Sequence, residues 1–162
     1  MTLTPVTWRY RDKLITEIED MPEGTYGFIY MVTHLPTKKK YIGKKVLYFE
    51  RNVKLGKRAL EALKEERKAA GIGGRVPAKK KVVKESDWKT YYGSQEDIKK
   101  LARTSKPEDW TREILDFVPT KKLLTYYEIK HIFKNDALED SDFLNDNILG
   151  KFYQKDFIKV GS

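Results

Sequence analysis

The sequence predicts a small α+β domain built on a three-stranded antiparallel sheet flanked by helices. Three observations point there. Two β-rich runs surround a Pro-containing turn within 26–45, the run Trp110-Thr111-Arg112-Glu113-Ile114-Leu115 alternates, and apolar residues recur at helical spacing between and after these runs. In chain order this reads β-β-α-α-β-α.

The first 20 or so residues carry Trp8, Tyr10, Leu14, Ile15 and Ile18 and read as a helical or irregular lead-in, 1–25, closed by Pro22 and Gly24. The main domain follows at 26–150. Its hairpin pairs Tyr26-Gly27-Phe28-Ile29-Tyr30-Met31-Val32 with Lys40-Tyr41-Ile42-Gly43. A helix is expected over 50–70, with Leu60 and Leu63 at helical spacing and Gly71, Gly73 and Gly74 as its stop. Residues 75–89 read as a basic linker inside an insertion at 71–90, with Arg75, Lys79, Lys80, Lys81, Lys84 and Lys89 against Glu85 and Asp87. Ser94 is positioned to cap a short helix, 110–118 is the third strand, and Thr120 caps a helix running to Asn135. The mixed segment from Leu138 to Phe157, which runs into a tail at 151–162, should pack back on the core.

Hydrophobic residues make up 40% of the 162 positions, too many for a disordered chain. Lys and Arg total 33 against 24 acidic residues, a net charge of +9. That balance suits a polyanion such as nucleic acid, or an anionic membrane surface. No apolar run reaches the roughly 20 residues a membrane span needs, and the N-terminus lacks a signal-peptide core. The absence of cysteine excludes disulfides and thiolate metal sites and fits a reducing cytoplasm. Two histidines, His34 and His131, are too few for a zinc centre; the first reads as a turn residue and the second as part of a helix face.

The residues that carry chemistry cluster around the hairpin. Tyr30 and Tyr41 stand 11 positions apart, and Arg51 follows Tyr41 by 10, at the start of the expected helix. Glu128 lies one helical turn from both Leu124 and Ile132, which puts a carboxylate on a core-facing surface. Such a carboxylate is costly unless it is paired or metal-bound. Core packing for the tyrosines, and a salt bridge from Glu128 to a lysine or to Arg51, are the competing readings. Lys44 and Lys45 end the second strand, either as solvated cations or as neighbours of Tyr41 and of phosphate. Trp88, Tyr91 and Tyr92 are available to stack on bases or to pack on the first helix.

Phe28-Ile29-Tyr30, Tyr41-Ile42-Gly43, Arg51, Glu128 and a later asparagine together resemble the GIY-YIG nuclease family. The run from Asp87 to Ser94 resembles the W-x-x-Y-Y-G-S segment of its phage-encoded members. The likeness covers most of 26–150 and implies a metal-dependent DNA endonuclease, a stand-alone homing or DNA-degrading enzyme. It implies one Mg2+ or Mn2+ on Glu128, Tyr30 or Tyr41 as general base, Arg51 on phosphate oxygens, and Lys44 lowering a phenol pKa. Expected DNA contacts are Lys45, Lys79, Lys80, Lys81, Lys84, Tyr91, Tyr92 and Asn147, the last preferred over Asn145 as the family asparagine. Double-stranded DNA is the implied partner, with a homodimer on DNA and no membrane; the implied location is the cytoplasm, the host's if phage-encoded. Phe28 stands where the motif has its first glycine, with Gly27 one place early, and Leu55 where the family has a histidine. A non-catalytic nucleic-acid-binding module and a structure-selective repair nuclease are the alternatives.

Overall fold

Alternation along β3 (Gly27–His34) builds the centre of the sheet. Phe28, Tyr30 and Val32 point to one face and Ile29 to the other, and all four are buried. A strand covered on both sides needs apolar residues at successive positions, which is what 28–32 supplies. In this computed structural model, which describes residues 6–157, β3 pairs antiparallel with β4 (Lys39–Val46) on one side. On the other side it pairs antiparallel with β7 (Trp110–Val118). The expected hairpin and third strand are therefore both present.

The sheet has five strands rather than three. β1 (Trp8–Tyr10) and β2 (Lys13–Ile15) extend it in the order β2-β1-β7-β3-β4, with β1 parallel to β7. Within the lead-in expected to be helical or irregular, 8–15 form a tight strand pair and a short 3-10 turn follows at Ile18–Asp20; its residues 1–5, like 158–162 of the expected tail, lie outside the described residues. Arg11 turns the strand pair with φ 54°, and Trp8 and Ile15 face each other in register, both buried.

Helix α3 (Lys121–Lys134) covers one face of the sheet. The Thr120 side chain caps it by accepting from the Leu123 N–H. Leu124 and Ile132 bury against Ile29, Ile42 and Val118, together with Ala137, Leu138, Phe143 and Ile148 of the C-terminal segment. The opposite face buries Trp8, Phe28, Tyr30, Trp88, Trp110 and Ile114 with Ile98 of α2 (Glu96–Thr104). Gln95, not Ser94, caps α2, by accepting from the Ile98 N–H.

Residues Tyr48–Ser86 form a second unit. Strand β5 (Tyr48–Lys54) leads to α1 (Lys57–Ala69) and returns as β6 (Lys79–Glu85), the two strands pairing antiparallel over seven positions from Tyr48↔Glu85 to Lys54↔Lys79. Glu50 and Arg51, expected in a helix, lie in β5, and the middle of the expected linker 75–89 is β6. This compact unit, 48–86, takes in 71–86 of the expected insertion at 71–90. Each strand takes its partner from the far side of α1, a pairing that local periodicity does not encode.

Candidate active site

A bulge positions the first tyrosine. Ile29 is opposite Asp116 and Tyr30 opposite Ile114, so Leu115 is the extra residue in β7. Bulges re-aim the neighbouring side chain. On the other side Tyr30 faces Gly43 of β4. A Cβ at Gly43 would fall 2.4 Å from the Tyr30 hydroxyl oxygen and 2.9 Å from the Tyr41 ring, so only glycine lets the Tyr30 ring lie across the neighbouring strand. Gly27 is equally constrained, since a Cβ there would meet the Lys45 carbonyl at 2.5 Å.

Tyr30, Tyr41 and Tyr91 form an aromatic cluster, with ring centroids 6.3 Å apart for the first pair and 5.9 Å for Tyr30 and Tyr91. Burial pushes the Tyr30 phenol well above its ordinary pKa, and neighbouring Tyr91 and Tyr41, a hydrogen bond shared with Tyr91, and Glu128 add to the rise. Tyr41 is half-buried and lines a cavity of about 290 Å³ with Ser94, Gln95, Glu128, Asn145 and Asp146. Burial raises this phenol too. A hydrogen bond from the Ser94 hydroxyl counteracts it, while Glu128, Tyr91 and Asp146 add to it.

Glu128 sits half-buried on α3, as its spacing from Leu124 and Ile132 implied. Burial raises its carboxyl above the ordinary range. The Lys44 charge and a hydrogen bond from the Lys44 backbone hold it down in part. The Lys44 charge thus falls on Glu128, the carboxyl that in turn raises Tyr41. The exposed Lys44 Nζ donates to Thr125 Oγ1 at 2.9 Å.

Asn145 is buried and grips the middle residue of Tyr41-Ile42-Gly43: its Oδ1 accepts from the Ile42 N–H at 3.0 Å and its Nδ2 donates to the Ile42 carbonyl at 2.8 Å. Asn147 also lines the cavity, but its side chain accepts from the Gly150 N–H. The strand-bridging asparagine is Asn145.

Three expected DNA contacts turn inward. Lys45 is buried, ion-paired with Asp87 at 2.5 Å and seated 3.8 Å over the Tyr91 ring. Tyr91 packs on Tyr30, and Tyr92 packs 4.9 Å from Trp110 while its hydroxyl accepts from the Val6 N–H. Their segment, 88–94, is held by buried Arg112. Its guanidinium donates to the carbonyls of Tyr91 at 2.9 Å, Lys89 at 2.8 Å and Val6 at 2.7 Å, between the Trp8 and Tyr92 rings. Burial lowers its pKa to about 10. Sequence reasoning passed over Arg112, although its inward place in the alternation Trp110, Arg112, Ile114 was the available signal. Ser94 was read only as a helix cap and as the end of the Asp87–Ser94 run, and Asp146 carried no local signal.

Tyr30, Tyr41, Lys44 and Glu128 come together within the first unit. Arg51, Lys79, Lys80, Lys81 and Lys84 belong to the second, where all are exposed. The histidines are structural: His34 is buried and bridges Thr37 Oγ1 and Ser105 Oγ at 2.8 Å each, and His131 pairs with Asp116. Among the described residues no three His, Cys, Asp or Glu gather as a metal-binding group.

Tyr41 and Glu128 thus line one cavity beside β4, the edge strand of a mixed sheet, with Tyr30 packed against Tyr41. The family model for the segE endonuclease GIY-YIG domain matches residues 8–148, and the chain belongs to the GIY-YIG endonuclease family. No curated protein and no solved structure matches it. A nuclease domain takes nucleic acid as substrate, and no helix among the described residues is long and apolar enough to cross a membrane.

Proposed function

We propose that the chain is a divalent-metal-dependent DNA endonuclease that hydrolyses phosphodiester bonds in the cavity shared by Tyr41 and Glu128. The observation that carries this reading is the pairing itself. A phenol and a carboxyl line one cavity, and burial pushes both toward their neutral forms. Perturbed titratable groups converging in a cleft are the mark of a chemical site.

A divalent cation fits the donor set. Glu128 and Asp146 offer carboxylate oxygens in the same cavity, with no sulfur or imidazole among its lining residues. Oxygen donors suit Mg2+ or Mn2+, and few protein ligands suit a cation that keeps most of its waters. Glu128, with Asp146 beside it, would hold one ion, which when bound supplies Lewis-acid stabilisation of charge on the phosphate.

The chain's own residues supply the rest. Tyr41 lines the cavity and takes the proton of the attacking water; the Ser94 hydrogen bond to its oxygen favours the phenolate this requires. Tyr30, buried and held against Gly43 and Tyr91, positions Tyr41 rather than exchanging protons with solvent. The test is digestion of long duplex DNA in magnesium or manganese, followed by mapping of the ends. Strand breaks that vanish with chelator are expected. Intact DNA in every metal would leave a binding module.

A further inference from the structure

Residues 48–86 are not used by the chemistry above, yet they hold most of the net positive charge. Twelve Lys and Arg stand against five Asp and Glu there, a surplus of seven out of the chain's +9. In β5 and β6, 13 of 14 side chains are exposed. Tyr48, Phe49, Val53 and Val83 are among them, from 36% to 53% exposed. A two-stranded ribbon open on both faces is marginal by itself, and exposed aromatic and branched residues among cations mark a surface that a partner covers.

We propose that the β5–β6 ribbon enters the major groove of duplex DNA. This rests on DNA being the substrate. A pair of strands about 4.8 Å apart, with side chains on each edge, fits a groove about 12 Å wide, whereas the minor groove is about half that width. The register sorts charge by face. Phe49, Arg51 and Val53 share a face with Lys80, Val82 and Lys84, and that face has no carboxylate. Glu50 and Glu85 both fall on the other face, where Lys81 pairs with Glu50 at 3.1 Å. A polyanion meets three cations and no like charge on the first face. Arg51 has the planar fork that fits phosphate or a guanine edge, and the apolar side chains suit thymine methyl groups.

The experiment is DNA binding by the whole chain in chelator, so that nothing is cut, read by fluorescence anisotropy on a short duplex. The variant replaces Arg51, Lys80 and Lys84, the three cations of that face, by Ala; all three are exposed, and an unchanged melting temperature confirms the fold. The slope of log affinity against log salt should flatten by about two to three units, near 0.9 per lost phosphate contact. Methyl green, a major-groove ligand, should displace the wild-type protein, whereas netropsin, a minor-groove ligand, should not. An RNA duplex of the same sequence should bind more weakly, because its major groove is too narrow for the ribbon. Wild-type affinity and slope in the variant, displacement by netropsin alone, or equal binding of RNA would each overturn the proposal. A protein that passes these tests but cuts nothing in magnesium would keep the ribbon and lose the endonuclease reading.

Discussion

Residues 48–86 carry a surplus of seven positive charges, while the other unit is close to neutral, with 21 Lys and Arg against 19 Asp and Glu. The neutral unit buries Tyr30 completely and Tyr41 and Glu128 by half, and burial shifts all three. The basic unit leaves nearly every ribbon side chain in water. The contrast separates two uses of charge. Long-range attraction to a polyanion needs many exposed cations and is weakened by salt. Chemistry needs few groups in a desolvated pocket, where each interaction is stronger.

The largest expected effect comes from removing the carboxylate. Glu128→Ala should lower cleavage by more than about 10²-fold, the scale of a lost transition-state contact, while DNA binding in chelator persists. Loss of binding along with cleavage would erase the division between units. Next is Gly43→Ala. The added methyl collides with the Tyr30 hydroxyl at 2.4 Å, so about 1–3 kcal/mol of stability should go, and cleavage should fall with the displaced tyrosines. A variant as stable and active as wild type would mean that the Tyr30 ring has room to spare.

Ser94→Ala sharpens the comparison further. The general base must be ionised, so with a raised phenol pKa the rate climbs with pH through the neutral range. Removing the hydrogen bond that lowers that pKa should move the climb to higher pH. The rate at neutral pH should fall about tenfold, while the melting temperature stays put. The smallest effect is on stability. Because the folded pKa of Glu128 is raised, its ionisation opposes folding: the penalty is absent at acid pH and grows as pH rises through the raised value. Metal-free Glu128→Gln should therefore melt above wild type at neutral pH, and the gap should close in acid. A lower melting temperature at neutral pH would show that Lys44 fully compensates the charge.

Much of the catalytic unit was legible because its signals are local. Alternation exposed β3 and β7, Thr120 marked the start of α3, and the Leu124-Glu128-Ile132 spacing placed the carboxylate. What stayed hidden depends on partners far along the chain. β5 offers Glu50, Arg51 and Asn52, poor strand formers that become a strand only through β6. The β1–β2 turn at Arg11 has none of the glycine that usually announces a hairpin. Lys45 looked like a solvated strand end, but Asp87 and the Tyr91 ring, both more than forty residues on, draw it inward. The Asn145 clamp on Ile42 spans 103 positions, a separation that no local pattern announces.

The central claim, that Tyr41 is the base of a buried site in the near-neutral unit, is tested most directly by single-turnover cleavage of saturating duplex DNA in magnesium across pH. Wild type and Tyr41→Phe, which keeps the ring and loses only the hydroxyl, are compared from about pH 6 to about pH 9, below the ordinary phenol range. The wild-type rate should climb steadily over that interval. The variant should be slower by about 10²-fold or more at the alkaline end and nearly flat with pH. A Tyr41→Phe profile that overlays the wild type would contradict the claim and return Tyr41 to the hydrophobic core.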